Sequence, residues 1–191
     1  MKKLGIVSGI TGAIIASVIF IEGGFTNDPY DPGGKTKYGI TEQVAREYGY
    51  KGNIEDLTKE EATDIYNTLY VVSPHFDKVV EINPAIGHKL IDAGVNVGTA
   101  RVSIWFQRAL NSLGSNIKED GVIGTSTLNA YRTLESRRGK VKTCELILKI
   151  LDGYQTSYYL TLNSSRYITG WLDKRVENIP LTQCSVYNPP N

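Results

Sequence analysis

An uncharged run of 18 residues near the start of the chain constrains its fold more than any other feature. Residues 4–21 read LGIVSGITGAIIASVIFI, and Lys2 and Lys3 come directly before them. As a helix, such a run extends about 27 Å, close to the ~30 Å thickness of the hydrocarbon core of a membrane. The two lysines favour a cytoplasmic N-terminus with the rest of the chain on the other side. Residues 1–21 are therefore predicted to be a signal anchor.

The run is only weakly apolar, and this leaves its behaviour in a membrane open. Six of its 18 residues are glycine, serine or threonine, which weaken insertion into a bilayer. A cleaved signal peptide is another interpretation, although no small-x-small cleavage site follows the run without enclosing Glu22. Small residues also recur every four positions, as on helix-packing faces in membranes, at Gly5, Gly9, Ala13 and Ser17. We favour a segment that the bilayer holds loosely and that can leave it.

The residue that follows the run, Glu22, has the setting of a general acid. Hydrolysis of a glycosidic bond needs a carboxyl group that donates a proton to the leaving oxygen, aided by a second carboxylate or a positioned water. An apolar surrounding keeps such an acid protonated near neutral pH, because burial penalises its charged form. On a helix, the apolar residues Ile15, Val18 and Ile19 lie on the same side as Glu22. Glu22 is therefore a candidate catalytic acid.

The loop after Glu22 supplies the other candidate catalytic residues. Residues 23–40 read GGFTNDPYDPGGKTKYGI, and their glycines, prolines and aspartates are typical of turns with room for a short hairpin. Asp31 follows on this loop and Thr36 lies beyond it, and this order of glutamate, aspartate and threonine resembles the layout of phage-type lysozymes. Asp31 precedes a proline, so a turn and a catalytic carboxylate are equally good interpretations of it.

Four further residues are candidates for binding a sugar substrate. Tyr30 and Tyr38 lie on the same loop and can stack on sugar rings, although core packing explains them nearly as well. Thr41 follows the loop and has the position of a helix N-cap as well. Asn96, in the stretch AGVNVG, either hydrogen-bonds a sugar N-acetyl group or caps a helix.

The remainder of the chain has the apolar periodicity of helices. Thr41 is placed to cap a helix that continues to about Tyr48. Thr58 and Glu61 form the pattern of a capping box. Further helices are expected to begin near Pro84, Thr99, Thr125 and Lys140. The predicted fold class is mainly α, with a short β-hairpin or loop after Glu22.

The composition excludes several classes of function. A net charge of +1 gives no general attraction to nucleic acid. His75 and His88 stand apart and no CxxC pair is present, so we expect no metal site and no cofactor. Cys144 falls in an apolar helical stripe, which slightly favours a buried thiol, while a disulfide with Cys184 is the alternative in an oxidising compartment. We expect a monomer.

A long motif makes the resemblance to a known family specific. The stretch EGGFTNDPYDPGGKTKYGIT resembles the signature of the glycoside hydrolase family 108 N-acetylmuramidases, which cleave the glycan strands of peptidoglycan. The stretches LIDAGVNVG, WFQRALN, DGVIGTSTLNA and YITGWLDKRV then follow in order and resemble the peptidoglycan-binding part often fused to that family. The resemblance implies that Glu22 is the catalytic acid and that the glycan strand of peptidoglycan is the partner.

The same resemblance implies a lysozyme-like fold and a division of the chain. Residues 12–98 are expected to form the catalytic region, and residues 99–177 a helical peptidoglycan-binding region. A tail covers residues 178–191. Residues 1–21 are expected to serve both as the signal anchor and as the first helix of the catalytic region.

The double use of one segment is similar to that in the signal-anchor-release endolysins of phages. On this hypothesis the enzyme is exported inactive on a tether to the host inner membrane, through residues 4–21. Release into the periplasm then completes the active site and causes lysis. A lytic transglycosylase, a non-catalytic peptidoglycan-binding protein on a membrane anchor, and a muramidase serving secretion in a bacterium are the alternatives.

Overall fold

A computed structural model describes residues 9–22, 24–26 and 34–186 of the chain. The chain divides into two compact units, of which one ends at Ser73 and the other begins at Pro74. Both consist mainly of helices, and the first also contains a small antiparallel sheet. The predicted fold class, a mainly α, lysozyme-like fold with a short hairpin after Glu22, is therefore confirmed. The predicted boundaries at residues 98 and 177 stay predictions.

The first unit begins with a helix and continues through three two-residue strands to further helical segments. In chain order its elements are α1 (Gly9–Glu22), β1 (Phe25–Thr26), β2 (Thr36–Lys37), β3 (Ile40–Thr41), α2 (Glu42–Tyr48), a 3₁₀ turn (Ile54–Asp56), α3 (Lys59–Tyr66) and a π-helical segment (Asn67–Val72). The second unit contains α4 (Phe76–Ile82), α5 (Pro84–Val97), α6 (Thr99–Ser112), α7 (Thr125–Arg138), α8 (Lys140–Thr161), α9 (Ile168–Arg175) and α10 (Thr182–Val186).

Helix α1 is built from the uncharged run, as the sequence predicts. It contacts α3, and its buried residues are Thr11, Ile14, Ile15, Val18 and Ile19. Ala13 and Ala16 lie on the opposite, exposed side. The apolar side chains of Ile14, Ile15, Val18 and Ile19 are therefore core residues of the folded first unit. Among the residues that the structure describes, no helix is long and apolar enough to cross a membrane.

A tight turn joins the second and third strands of the sheet. Lys37 pairs with Ile40, which leaves Tyr38 and Gly39 as a two-residue loop with φ of 54° and 74°. Positive φ at both central residues is the geometry of a type I′ hairpin turn, whose twist matches that of the strands. Tyr38 is an uncommon residue in this conformation. The Tyr66 hydroxyl donates a hydrogen bond of 2.7 Å to the Tyr38 carbonyl and so holds the turn against α3.

Side-chain caps fix the starts of several helices. The Thr41 hydroxyl accepts a hydrogen bond from the Val44 amide, and Thr58 and Glu61 form the predicted capping box of α3. Helices α6 and α7 begin where the sequence predicts, but without a side-chain cap. Thr99 and Thr125 are the first residues of their helices, and the N-caps are Gly98 and Gly124, without a side-chain hydrogen bond. Gly98 has a positive φ of 94°, while Gly124 is extended.

The core of the second unit forms around α5, which packs against α4, α6 and α8. The apolar residues of α6 recur at helical spacing, and five of them are buried: Val102, Trp105, Phe106, Ala109 and Leu110. Helix α8 contributes Ile147, Leu148 and Leu151 to the same unit. The apolar periodicity of the sequence thus identifies the buried faces of both helices correctly.

The two cysteines form a disulfide, so the slight preference for a buried free thiol is wrong. Cys144 on α8 is bonded to Cys184 on α10, and both residues are fully buried. The sequence could not decide this pairing, because it depends on α10 folding within the tail and bringing Cys184 to α8. The bond closes a loop with a sequence separation of 40 residues.

Buried ion pairs join α5 to the later helices of the second unit. Lys89 forms an ion pair with Asp152 at 2.5 Å, and Arg175 forms one with Asp92 at the same distance. Lys89 and Asp92 are each at most 1% exposed. Asn178 donates a further hydrogen bond of 2.9 Å to Asp92. Buried charges are tolerated only when they are paired and hydrogen-bonded, as they are here.

Candidate active site

The candidate catalytic residue Glu22 is the last residue of α1, and β1 begins three residues later at Phe25. This placement follows from the sequence, because Gly23 and Gly24 interrupt the apolar run directly after Glu22. Along the chain, Glu22 therefore lies at the junction between α1 and the sheet.

A row of three threonines crosses the sheet that follows Glu22. Thr36 on β2 is paired with Thr26 on β1 and with Thr41 on β3. Residues that are directly opposite each other in an antiparallel sheet project from the same face. The structure therefore brings Thr36 and Thr41, both candidates from the sequence, next to each other. It adds Thr26, which sequence analysis missed because strands of two residues give no alternating pattern.

The hydroxyl groups of this row have different surroundings. Thr41 uses its oxygen to accept the hydrogen bond from Val44 at 3.2 Å, so its structural role as an N-cap is established. Thr26 is exposed and Thr36 is half-buried. Lys37, next to Thr36, lies with its amino group 5.7 Å from the centroid of the Tyr38 ring. Thr36 and Thr26 are therefore the members of the row that are placed to contact a ligand.

Other predicted site residues are placed differently. Tyr38 holds the type I′ turn through its backbone and is half-buried. Tyr30 and Asp31 lie outside the described residues, so their roles in stacking and catalysis stay predictions. Asn96 lies on α5 in the second unit, where its side-chain oxygen accepts a 2.5 Å hydrogen bond from the Tyr159 hydroxyl. Its proposed contact with a sugar also stays a prediction.

An acidic cleft beside α2 and α3 of the first unit is a poor candidate for the active site. It encloses about 510 Å³ and is lined by residues of α2, α3 and the segment between them, including Tyr50, Glu61 and Asp64. Burial, and then the negative charge of Glu61, raise the pKa of Asp64. The Glu61 carboxylate is occupied, however, because it accepts hydrogen bonds from the amide and hydroxyl of Thr58. Glu61 is therefore explained by the start of α3, and Asp64 is the other carboxyl group in the lining of this cleft.

The described residues offer no cluster of three histidine, cysteine or carboxylate side chains that could hold a metal ion. His75 and His88 are engaged separately. The Nδ1 atom of His75 lies 3.0 Å from the carbonyl oxygen of Ile123. Burial lowers the pKa of His88, which favours its neutral form.

Two family models match the chain, one after the other. The model described as glycosyl hydrolase 108 matches residues 15–98, and the model described as a predicted peptidoglycan domain matches residues 101–176. The first match includes Glu22, the sheet and the threonine row. It also extends over α4 and α5, which pack within the second compact unit. The family resemblance indicated by the EGG motif is thus confirmed.

Among the proteins that match this chain, some do so over nearly the whole chain and others over part of it. The structure of SagA from Brucella abortus superposes with a TM-score of 0.72 and 27% sequence identity, covering 95% of this chain and 97% of that one. Nucleolar protein 9 from Komagataella phaffii is 31% identical over 112 residues. This match spans 54% of the present chain but only 16% of that protein. The chain is therefore a glycoside hydrolase, with a domain of the glycosyl hydrolase 108 family followed by one of the predicted peptidoglycan domain family.

Proposed function

We propose that the protein is an N-acetylmuramidase that hydrolyses the β-1,4 bond between N-acetylmuramic acid and N-acetylglucosamine in peptidoglycan. The main support is the position of Glu22, which ends α1 directly before the sheet in the region that matches glycosyl hydrolase 108. The predicted peptidoglycan domain supports the choice of substrate.

The reaction assigns separate tasks to the residues of the first unit. The carboxyl group of Glu22 donates its proton to the glycosidic oxygen as the bond to the anomeric carbon breaks. Asp31 stabilises the positive charge that develops on the sugar. Thr36 orients the water whose oxygen forms the new bond to the anomeric carbon. The proton that this water loses restores the protonated form of Glu22 through the solvent. The products are one new reducing end, on N-acetylmuramic acid, and one new non-reducing end, on N-acetylglucosamine.

The test is digestion of purified peptidoglycan by the wild type and by Glu22→Gln. We expect the variant to lose about 10²–10⁴-fold in rate, since glutamine cannot donate the proton. Glu47→Gln is a matched control, because Glu47 is an exposed residue of α2 in the same unit. Mass spectrometry of the products should show reducing N-acetylmuramic acid ends. Anhydro ends would instead identify a lytic transglycosylase, and unchanged activity of Glu22→Gln would contradict the proposal.

We further propose that residues 4–21 first tether the enzyme to the inner membrane of a phage host and that release into the periplasm activates it for lysis. The buried side chains of α1 support this, because residues that fill the core of the folded unit cannot face lipid at the same time. The two environments then exclude each other and make tethering and activity alternative states. The Cys144–Cys184 disulfide supports a compartment outside the cytoplasm.

Substitutions on the exposed side of α1 test the tether without disturbing the fold. A Cβ atom at Gly9 would meet nothing within 4 Å, and Ala16 is exposed. Gly9→Leu with Ala16→Leu should favour the membrane by about 1 kcal/mol. We expect more enzyme in the membrane fraction and slower lysis, but unchanged activity of the released protein. Gly9→Ser with Ala16→Ser is the control. Equal membrane retention and lysis in both double variants would overturn the tether.

A further inference from the structure

A cleft between α6 and α8 in the second unit combines aromatic rings with positive charge. It encloses about 510 Å³. All of its lining residues lie in the described part of the chain: Arg101, Ile104, Trp105, Arg108, Tyr154, Ser157, Tyr158 and Thr161. The set contains three aromatic residues, two arginines and two hydroxyl groups, and it contains no carboxylate. Such a lining suits a ligand with flat apolar faces, hydroxyl groups and negative charge.

The aromatic residues form a fixed platform. Trp105 is only 6% exposed and forms the base. Its ring stacks on Tyr154 at 6.1 Å and meets the edge of Tyr158 at 6.0 Å, measured between ring centroids. Both tyrosines are half-buried, so each keeps part of its ring at the cleft surface. Amphipathic aromatic side chains held in this way offer an apolar face and a polar tip to a ligand.

A hydrogen bond between α8 and α5 also supports the platform. Tyr158 contacts Tyr159, whose hydroxyl donates the 2.5 Å hydrogen bond to Asn96. Gln155 donates a hydrogen bond of 2.7 Å to the same Tyr159 oxygen. These contacts lock α8 to α5 behind the exposed tyrosines. Asn96, a predicted sugar-binding residue, therefore supports this platform through Tyr159.

The two arginines have different partners. Arg108 donates a hydrogen bond of 2.9 Å to Glu119, which neutralises its charge. Arg101 lies with its guanidinium carbon 4.2 Å from the centroid of the Tyr158 ring and donates one hydrogen bond of 2.6 Å to the Val97 carbonyl. Among the described residues it has no carboxylate partner. A guanidinium group has five N–H donors, so several stay available to an anionic ligand at the edge of the platform.

A neighbouring cleft of the same unit lacks these properties. It lies between α8 and residues 176–181 and is larger, at about 860 Å³. Its lining contains the carboxylates of Asp152 and Glu177, together with a single lysine, Lys149, and no aromatic ring. A sugar polymer would find no stacking face there. The aromatic rings and the arginine therefore distinguish the cleft at Arg101.

We propose that the Arg101–Tyr154–Tyr158 cleft is a binding site for the carboxylate-bearing glycan strand of peptidoglycan, separate from the candidate active site. Sugar rings lie against Tyr154 and Tyr158, and the guanidinium group of Arg101 binds a carboxylate. The carboxylate belongs either to the lactyl group of a peptide-free muramic acid or to the stem peptide attached to it. The inference rests on the proposed function for the choice of substrate, but not on catalysis.

The test measures binding by the full chain in the Glu22→Gln background, so that the ligand is not consumed. Three probes are used in calorimetry: a peptide-free glycan tetrasaccharide with free lactyl carboxylates, the same glycan carrying stem peptides, and neutral chitotetraose. Arg101→Gln should weaken binding of at least one carboxylate-bearing probe about tenfold and leave chitotetraose binding unchanged. The probe that is affected identifies the source of the carboxylate.

Two comparisons separate recognition from loss of structure. Tyr154→Ala should weaken all bound probes about tenfold, while Tyr154→Phe, which keeps the ring, should retain most of the affinity. Arg132→Gln removes the same charge from an exposed position of α7, and it should bind like the parent. Thermal unfolding establishes that each variant is folded.

Two results would overturn the site. One is equal binding by Arg101→Gln, Tyr154→Ala and the parent, and the other is an Arg101→Gln loss that is the same for chitotetraose as for the charged probes. Failure of the proposed function is seen separately, as an absence of Glu22-dependent cleavage by the chain with an intact cleft.

Discussion

The two units of the chain are stabilised by different interactions. In the first unit, the apolar face of α1 is buried and the Lys35–Glu55 ion pair is exposed, with 44% and 50% of the two side chains accessible. In the second unit, the ion pairs Lys89–Asp152 and Arg175–Asp92 are buried and a disulfide joins α8 to α10. The first unit buries an apolar helix, and the second adds buried ion pairs and a covalent bond to its apolar core.

This difference matches the different tasks that we propose for the units. An apolar helix without buried ion pairs can leave a protein core for a membrane, since it leaves no charge unpaired behind it. Opening a network of buried charges costs more free energy, because each charged group would lose its partner. The first unit thus suits the proposed change between a tethered and a folded state. The second unit suits a single fixed binding surface.

Breaking a buried ion pair should have the largest effect on stability. Arg175→Met leaves the Asp92 carboxylate buried without its partner, and we expect it to lower the free energy of unfolding of the second unit by about 3–5 kcal/mol. Asp92→Leu combined with Arg175→Met should recover part of this loss. Lys35→Met, which breaks the exposed pair of the first unit, is the control and should change little. Urea denaturation measures all three, and equal losses at both pairs would contradict the comparison.

Removing the disulfide should have the next largest effect. Cys144→Ala with Cys184→Ala frees a loop of 40 residues in the unfolded chain and should cost about 2–4 kcal/mol. Hydrogen exchange should show the loss of protection in α8 and α10, and little change in α1. Addition of a reductant to the wild type gives a matched measurement. A loss of protection confined to the first unit would show that the disulfide has another role.

A smaller effect is expected from the apolar face of the first helix. Ile15 is 1% exposed, and Ile15→Val removes one buried methylene group, which should cost about 0.5–1.5 kcal/mol. Ala16→Ser, at the adjacent exposed position, should be nearly neutral. The difference between the two, measured by thermal unfolding, tests whether this face of α1 packs in a core. Equal effects would indicate that it does not.

The smallest predicted effect depends on pH. Burial raises the pKa of the Glu135 carboxyl on α7, although Lys140 and Arg132 oppose this. The stabilising contribution of the neutral Glu135 carboxyl is fully present below the pKa that this group has in the unfolded chain. It is lost as the pH rises through the higher pKa that the group has in the folded protein. Glu135→Gln should raise the melting temperature at pH 7 more than at pH 4. The control Glu60→Gln, at an exposed residue, should show no such difference between the two pH values. A gain in melting temperature of Glu135→Gln that is larger at pH 4 than at pH 7 would contradict the prediction.

Local chemistry explains which elements could be predicted. The apolar run gives α1, the pattern of Thr58 and Glu61 gives the capping box, and the stripe of α6 gives its buried face, because each depends on residues within a few positions of one another. The helix starts near Thr99 and Thr125 were predicted as well, but the sequence did not show which residues occupy the N-cap positions. Gly98 and Gly124 take these places through backbone conformation, which side-chain preferences do not reveal.

The candidate site could be predicted only in part. Glu22 and Thr36 follow from the motif and its order along the chain, but the pairing of Thr36 with Thr26 depends on the register of the sheet. The type I′ turn at Tyr38 and Gly39 fixes the register of β2 with β3, but not that of β1 with β2. Strands of two residues carry too little pattern for such pairing to be seen in advance.

The sequence by itself determined the family, the mainly helical class and the position of a glutamate at the end of an apolar helix. These depend on order and spacing along the chain, which the sequence contains in full. Only the tertiary structure decided that Cys144 meets Cys184, that Lys89 and Arg175 find buried carboxylates, and that Arg101 lies over Tyr158 at a cleft. Each of these joins residues on different elements, and their meeting depends on how whole helices pack.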